Sequence, residues 1–250
     1  MTGSTLDHDV ALEWVRRWDA QQERYIADRE ERFRVIGDVV AHVCRDVTAP
    51  LVADLGCGPG SLTTRLRGRV GGRVVGLDAD PFLLGLAKAA DPEGEYEHAD
   101  LTGSGWLDLV GGSWDAAVST TALHWIAPER LAEVYRAVAS RLRPGGVLVN
   151  GDHLREEQPA LRTLAEHVRD ERARRAGVVG NEDWRAWWEA ARADERLTTV
   201  FTEEEMAAKG SGHGNGLSAR QHGELLRAAG FSEVGTVWQH GDDHVLVAVR

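Results

Sequence analysis

The chain has little cysteine, no long apolar run and a deficit of basic residues, and each shortage removes a class of protein. Only Cys44 and Cys57 occur, with no CxxC pair and no repeated Cys/His spacing. Neither a disulfide framework nor a metal site is therefore expected, and a reducing compartment is. No stretch approaches the ~18 apolar residues of a spanning helix, and the opening MTGSTLDHDV carries neither the basic nor the apolar region of a secretory leader. The expectation is a cytoplasmic protein with no membrane partner. Lys and Arg number 29 against 40 Asp and Glu, a net charge of -11. That balance argues against a nucleic-acid partner, because affinity for a phosphate backbone rests on clustered cations. What remains is a 250-residue chain without internal repeats, long enough for one domain with an elaboration, and a small-molecule partner.

Glycine, by contrast, is concentrated. VADLGCGPGS, Val52 to Ser61, puts three glycines in five residues straight after an apolar strand pattern, which lets a ligand pack on bare backbone. Around it the apolar runs LVADL, RVVGLD, EYEHAD, WDAAVST and GGVLVNGD alternate with the helical patterns SLTTRLRG, PFLLGLAKAA, GSGWLDLV and PERLAEVYRAVASRLRPGG. Such alternation predicts βαβ crossovers and an α/β fold with a doubly wound, mostly parallel sheet. The last of these helices is expected to stop at Pro144, with Gly145 or Gly146 as its cap.

Two amphipathic helices precede this core, with Ala11, Val15 and Trp18, then Phe33, Ile36, Val40 and Val43, at helical spacing. Between Arg155 and Leu217 the alternation breaks. Leu161, Leu164, Ala165 and Val168 on one helix, and Trp184, Trp187, Trp188 and Ala191 on another, each predict one buried face. KGSGHGNG, Lys209 to Gly216, reads as a loop in which His213 is solvated, ahead of a lid contact or a metal ligand. The charge runs ERYIADREERF and RDERARRAG read as solvated helix faces. A final helix, SARQHGELLRAAG, leads into FSEVGTVWQHG and DDHVLVAVR, whose short joint at Gly241 to Asp243 predicts a hairpin and an antiparallel end to the sheet.

In an open α/β sheet a ligand sits beyond the carboxyl ends of the strands, where Gly56, Gly58 and Gly60 fall. Their pattern is GxGxG, and Ser61 stands where the last glycine of a dinucleotide fingerprint would be. Asp54 brings a carboxylate that would repel a pyrophosphate and attract an ammonium, while the helix start just beyond offers N–H groups to a carboxylate. Asp78 ends the second strand, the position from which an acid accepts both hydroxyls of a ribose. Asp100, in HAD after the third, can accept from an exocyclic amine. Amino acid, ribose and adenine in that order describe S-adenosylmethionine.

With VADLGCGPG, VVGLDAD, HADL, WDAAVSTTALHW and the C-terminal ELLRAAGF and VLVAVR, the sequence resembles the class I S-adenosylmethionine-dependent methyltransferases over roughly Pro50 to Asp152 and Leu217 to Arg250. The resemblance implies a seven-stranded sheet of order 3-2-1-4-5-7-6, S-adenosylmethionine as cofactor and S-adenosylhomocysteine as product. It implies a cofactor site of Asp54, Gly56, Cys57, Gly58, Gly60, Asp78, Ala79, Asp100, Leu101 and Ser119. One domain results: an N-terminal helical cover (1–48), a core (49–154 and 217–250) and an inserted helical lid (155–216).

The stretch STTALHWIAPE is similar to that of small-molecule carboxyl methyltransferases acting on trans-aconitate or malonyl carrier protein, which implies that His124 and Trp125 face the substrate. His153 in NGDHL falls at the same carboxyl edge. Methyl transfer is an in-line displacement that gains most from alignment. A carboxylate acceptor needs no base, whereas a hydroxyl or amine does, and His124 and His153 are the candidates. Tyr25, Trp125, Trp184 and Trp188 are the candidate substrate contacts, although Trp184, Trp187 and Trp188 read first as a core stripe and second as a lid. The chain is expected to be a monomer or homodimer. An N- or C-methyltransferase, an NAD-dependent oxidoreductase and a non-catalytic cofactor-binding protein stay open as alternatives.

Overall fold

The computed structural model describes residues 5–207 and 214–250, so His213 lies outside the described residues. Within them seven strands form one sheet: β1 (Leu51–Leu55), β2 (Arg73–Asp78), β3 (Glu95–His98), β4 (Trp114–Thr120), β5 (Leu142–His153), β6 (Glu233–His240) and β7 (Asp243–Val249). Their order is β3-β2-β1-β4-β5-β7-β6. Strands β1 to β5 run parallel, and β7 is antiparallel to both neighbours. This is the order and polarity expected from the sequence.

Helices α1 (His8–Glu23) and α2 (Arg29–Cys44) precede the sheet. The crossovers carry α3 (Ser61–Arg67), α4 (Pro81–Ala90), α5 (Trp106–Val110) and α6 (Pro128–Arg141). Between β5 and β6 lie α7 (Pro159–Ala176), α8 (Trp184–Ala193), α9 (Glu195–Thr198) and α10 (Ala219–Ala228). Local chemistry sets the starts. Asp80 accepts the N–H groups of Phe82 and Leu83, with Pro81 in the first turn of α4. Ser218 and Gln221 form a reciprocal capping box at α10.

Strand periodicity of two sends alternate side chains to opposite faces. Ala53, Leu55 and Ala117 pack with Trp106, Tyr135 and Leu226 of α5, α6 and α10, while Val52, Ala116 and Val118 pack with Phe33, Ile36 and Leu62 of α2 and α3. A third cluster joins α1, α4 and α8 through Trp14, Phe82, Trp187 and Trp188. Trp187 meets Trp14 edge-on at 5.4 Å, and Phe82 lies 5.5 Å from Trp188. Ring pairs of this kind add about 0.5–1.5 kcal/mol beyond their burial. Trp187 and Trp188 of α8 are therefore core.

Three expectations are corrected. Helix α6 ends at Arg141 and passes directly into β5, because Pro144 disfavours helical geometry at Arg143; Gly145, at φ +75°, serves the strand irregularity where pairing jumps from Leu142 to Val147. Leu161, Leu164 and Val168 are exposed, since α7 turns its other side inward. There Arg169 bonds Asp242 at 2.6 Å, Arg172 lies over the Trp238 ring, and Ala173 is buried. The charge runs are also not wholly solvated: Arg29, Arg32 and Arg172 are buried. Each has an acid within reach: Asp19, Asp243 and Asp28 respectively. A guanidinium can be buried when it is paired and its stem packs on apolar neighbours.

Candidate active site

A cavity of about 740 Å³ opens at the carboxyl ends of β1, β2 and β4, roofed by α1, α2 and α8. Its floor starts with the loop after β1. Gly56, Gly58 and Gly60 have φ of +74°, +54° and +85°, a region that costs an L-residue roughly 1–2 kcal/mol. A Cβ on Gly56 would come 2.3 Å from Ala122 Cβ, and one on Gly60 2.6 Å from the Tyr96 hydroxyl. At Gly58 a Cβ would meet nothing within 4 Å. Backbone faces the cavity there.

Carboxylates surround that loop. Asp78 accepts the Gly58 N–H at 2.7 Å and the Asp80 N–H at 2.8 Å, and burial raises its pKa. Asp54 lies fully buried below the loop, where one oxygen accepts the Thr63 hydroxyl at 2.6 Å and Oδ1 has no partner. Burial, aided by the nearby Asp78 charge and opposed by the Thr63 hydrogen bond, pushes the Asp54 carboxyl up to about 7. Asp100 sits after β3 and accepts the N–H and hydroxyl of Thr102, each at 2.8 Å.

At the other end, Thr121 takes φ +52°, rare for a β-branched residue, and the chain turns through Leu123–Trp125. His124 Nδ1 thereby reaches both oxygens of Asp152 at 2.9 Å. Asp152 is buried at the end of β5; burial alone would raise its pKa, but the His124 hydrogen bond and charge, with Arg32 and His153 beyond, lower it. Its carboxylate can only accept, so the imidazole donates through Nδ1–H and the neutral ring carries its lone pair on Nε2. His153 pairs similarly with Asp242 at 3.2 Å, and Asp242 is held in turn by Arg169.

Of the candidates read from sequence, Gly56, Cys57, Gly58, Asp78, Ala79, Asp100 and Leu101 line this cavity, as do His124, His153, Tyr25, Trp125, Trp184 and Trp188. Asp54, Gly60 and Ser119 do not. Ser119 is buried, and its hydroxyl donates to the Leu55 carbonyl at 2.7 Å, tying β4 to β1. Cys44 and Cys57 are both buried free thiols.

Sequence reasoning missed Arg29 and Asp152. Arg29 lines the cavity wall and donates to Asp19 at 2.6 Å; Asp19 also accepts from Ser61 of α3. The signal was present, since Arg29 and Arg32 extend the apolar spacing of Phe33, Ile36 and Val40 on α2. Asp152 stands directly before His153 in NGDHL. Nothing local in the chain says that it turns to His124.

Residues 52–146 match the family model described as a methyltransferase domain. The chain is 35% identical over 162 residues to the trans-aconitate 2-methyltransferase of Azoarcus sp. strain BH72, covering 64% of this chain and 60% of that protein. With the enzyme of that name from Streptomyces coelicolor it is 33% identical over 181 residues, 66% of this chain and 55% of that one. The chain thus spans little more than half the length of these curated relatives. Among solved structures, CalS10, an amino pentose methyltransferase from Micromonospora echinaspora with SAM bound, superposes with a TM-score of 0.59 at 18% identity, covering 93% of this chain and 96% of that one. Magnesium protoporphyrin IX methyltransferase from Synechocystis with bound SAH gives 0.52 at 19% identity, covering 92% and 86%. At such identities the likeness is one of fold.

Proposed function

Because the chain belongs to the class I S-adenosylmethionine-dependent methyltransferase family, we propose that it transfers a methyl group from S-adenosylmethionine to an oxygen of a small molecule held in the cavity. The residues present fit that cofactor. Gly58 leaves open space against the loop, Asp54 keeps an unpartnered buried oxygen beneath it, and Arg29 brings a guanidinium to the wall. In this reading the loop and Arg29 take the methionine carboxylate, Asp54 receives the ammonium directly or through water, Asp78 takes the ribose and Asp100 the adenine amine. Cys57, Ala79 and Leu101 supply contact surface. Gly60 and Ser119 act from behind, by leaving room for Tyr96 and by fixing β4 against β1.

When bound, the cofactor supplies an electrophilic methyl carbon on a sulfonium, so the protein has to align an acceptor oxygen and exclude water. The described residues of 1–48 and 155–216 serve as the cover and lid that do so over the core of 49–154 and 217–250. The observation that favours a hydroxyl over a carboxylate as acceptor is the pair of His124 and Asp152 at 2.9 Å, the arrangement of a general base held in one tautomer. A second reading, a carboxylate acceptor that needs no base, is favoured by the names of the sequence relatives.

Calorimetric titration with S-adenosylhomocysteine, with NADH as the parallel control, tests the cofactor. Binding of the former alone is expected. Binding of NADH alone, or of neither, overturns the reading.

A further inference from the structure

We infer that the acceptor is an aromatic hydroxyl compound rather than a polycarboxylate; this rests on the methyltransferase reading above. Charge comes first. Among the described residues Asp78, Asp80 and Asp100 line the cavity, and Arg29 is the sole guanidinium or ammonium to do so. Arg29 is already paired with Asp19 at 2.6 Å. With Asp78 and Asp100 assigned to the cofactor, and Arg29 to Asp19 and the methionine carboxylate, an acceptor with three carboxylates would find no free guanidinium or ammonium among the described residues to meet it.

Shape and surface point the same way. Tyr25, Trp125, Trp184 and Trp188 all line the cavity. Trp125 lies 4.6 Å from the His124 ring at 51°, yet remains half-exposed. The Tyr25 hydroxyl accepts the backbone N–H of Trp184 at 3.1 Å, which holds the start of α8 against the turn after α1. Flat π faces beside a base select a planar acceptor, through offset or edge-on ring contacts.

The base then sets the acidity of the hydroxyl. A phenol ionises near 10, as tyrosine does, within reach of an imidazole acting in concert with transfer, whereas a water-like hydroxyl, far less acidic, is not. With the cofactor bound, the acceptor O–H proton would pass to His124 Nε2 while the oxygen's electron pair took the methyl group, and the pair of the broken C–S bond would remain on the cofactor's sulfur as a neutral thioether. The imidazolium, steadied by Asp152, returns the proton to water.

The test offers catechol, 2-naphthol, 7-hydroxycoumarin and trans-aconitate to the whole chain with S-adenosylmethionine, and titrates S-adenosylhomocysteine separately. Methylation of at least one phenol, with trans-aconitate turned over at least tenfold more slowly, is the expected result. H124Q should lower kcat on that phenol by about 10²–10⁴-fold while S-adenosylhomocysteine affinity stays within twofold, which also shows that the variant folds. W125A should raise KM about tenfold with kcat little changed. Methylation of trans-aconitate with all three phenols inert, or no turnover despite S-adenosylhomocysteine binding, overturns the inference and leaves the cofactor reading standing. H124Q turning over phenols at the wild-type rate overturns the base assignment. Failure to bind S-adenosylhomocysteine overturns the methyltransferase reading itself.

Discussion

Asp78 at the end of β2 accepts the backbone N–H of Gly58, 20 residues earlier in the loop after the adjacent β1, over 2.7 Å. One carboxylate thus organises the glycine loop of the neighbouring strand as well as facing the cavity. D78A should weaken S-adenosylhomocysteine binding by about 1.5–3 kcal/mol, the range for hydrogen bonds to a charged group, read by calorimetry. Unchanged affinity would remove Asp78 from the cofactor site.

Asp54 predicts a pH dependence. Its carboxyl is raised to about 7 in the folded chain, chiefly by burial, against about 3.9 when unfolded. Folded protein therefore binds more protons than unfolded between about pH 4 and pH 7, so this group's contribution to stability falls as pH rises through that window. Urea unfolding from pH 4.5 to 7.5 should show D54N losing less stability than wild type across the same range. If Asp54 meets the ammonium of the cofactor, binding near pH 6 should also release up to about one proton. Titrations in buffers of different ionisation enthalpy read that release, and D54N should abolish it.

The loop glycines should separate by their surroundings. G58A meets open space and should cost only the left-handed penalty, roughly 1–2 kcal/mol. G56A adds a clash, with its Cβ 2.3 Å from Ala122 Cβ, worth about 1–3 kcal/mol more as overpacking. Thermal unfolding of both variants compares them; equal losses would mean that the Ala122 contact relaxes at no cost.

Arg32 donates to Asp243 at 2.9 Å and to the Thr120 hydroxyl at 3.0 Å, entirely buried. R32M strands a buried carboxylate and should destabilise by about 3–5 kcal/mol, toward the lower end because Arg172 stands 3.7 Å from Asp243. R32M/D243L should recover much of that loss in denaturant unfolding, since replacing a buried ion pair by apolar groups is often neutral. A double variant worse than R32M would contradict the ion-pair account.

Strands LVADL, RVVGLD and WDAAVST begin and end as their apolar runs do, and the GxGxG loop with Asp78 and Asp100 was legible for the same reason: local periodicity and spacing are properties of neighbouring residues. The exposed Leu161, Leu164 and Val168 show where this stops. An i, i+3, i+7 stripe names a face of a helix, while the side that turns inward depended on Arg169 and Arg172 finding Asp242 and Asp243, about 70 residues on in the chain.

By itself, then, the sequence determined the α/β alternation, the sheet's antiparallel end and a glycine-and-acid edge beside the cavity, because each follows from contacts within one strand, turn or crossover. Tertiary structure alone decided that Asp152 turns to His124, that Arg29 reaches the cavity wall, and that Trp188 is core and wall at once. Those outcomes depend on which distant side chains packing brings within a few ångströms, where charge pairing and burial are strong only after water has been excluded.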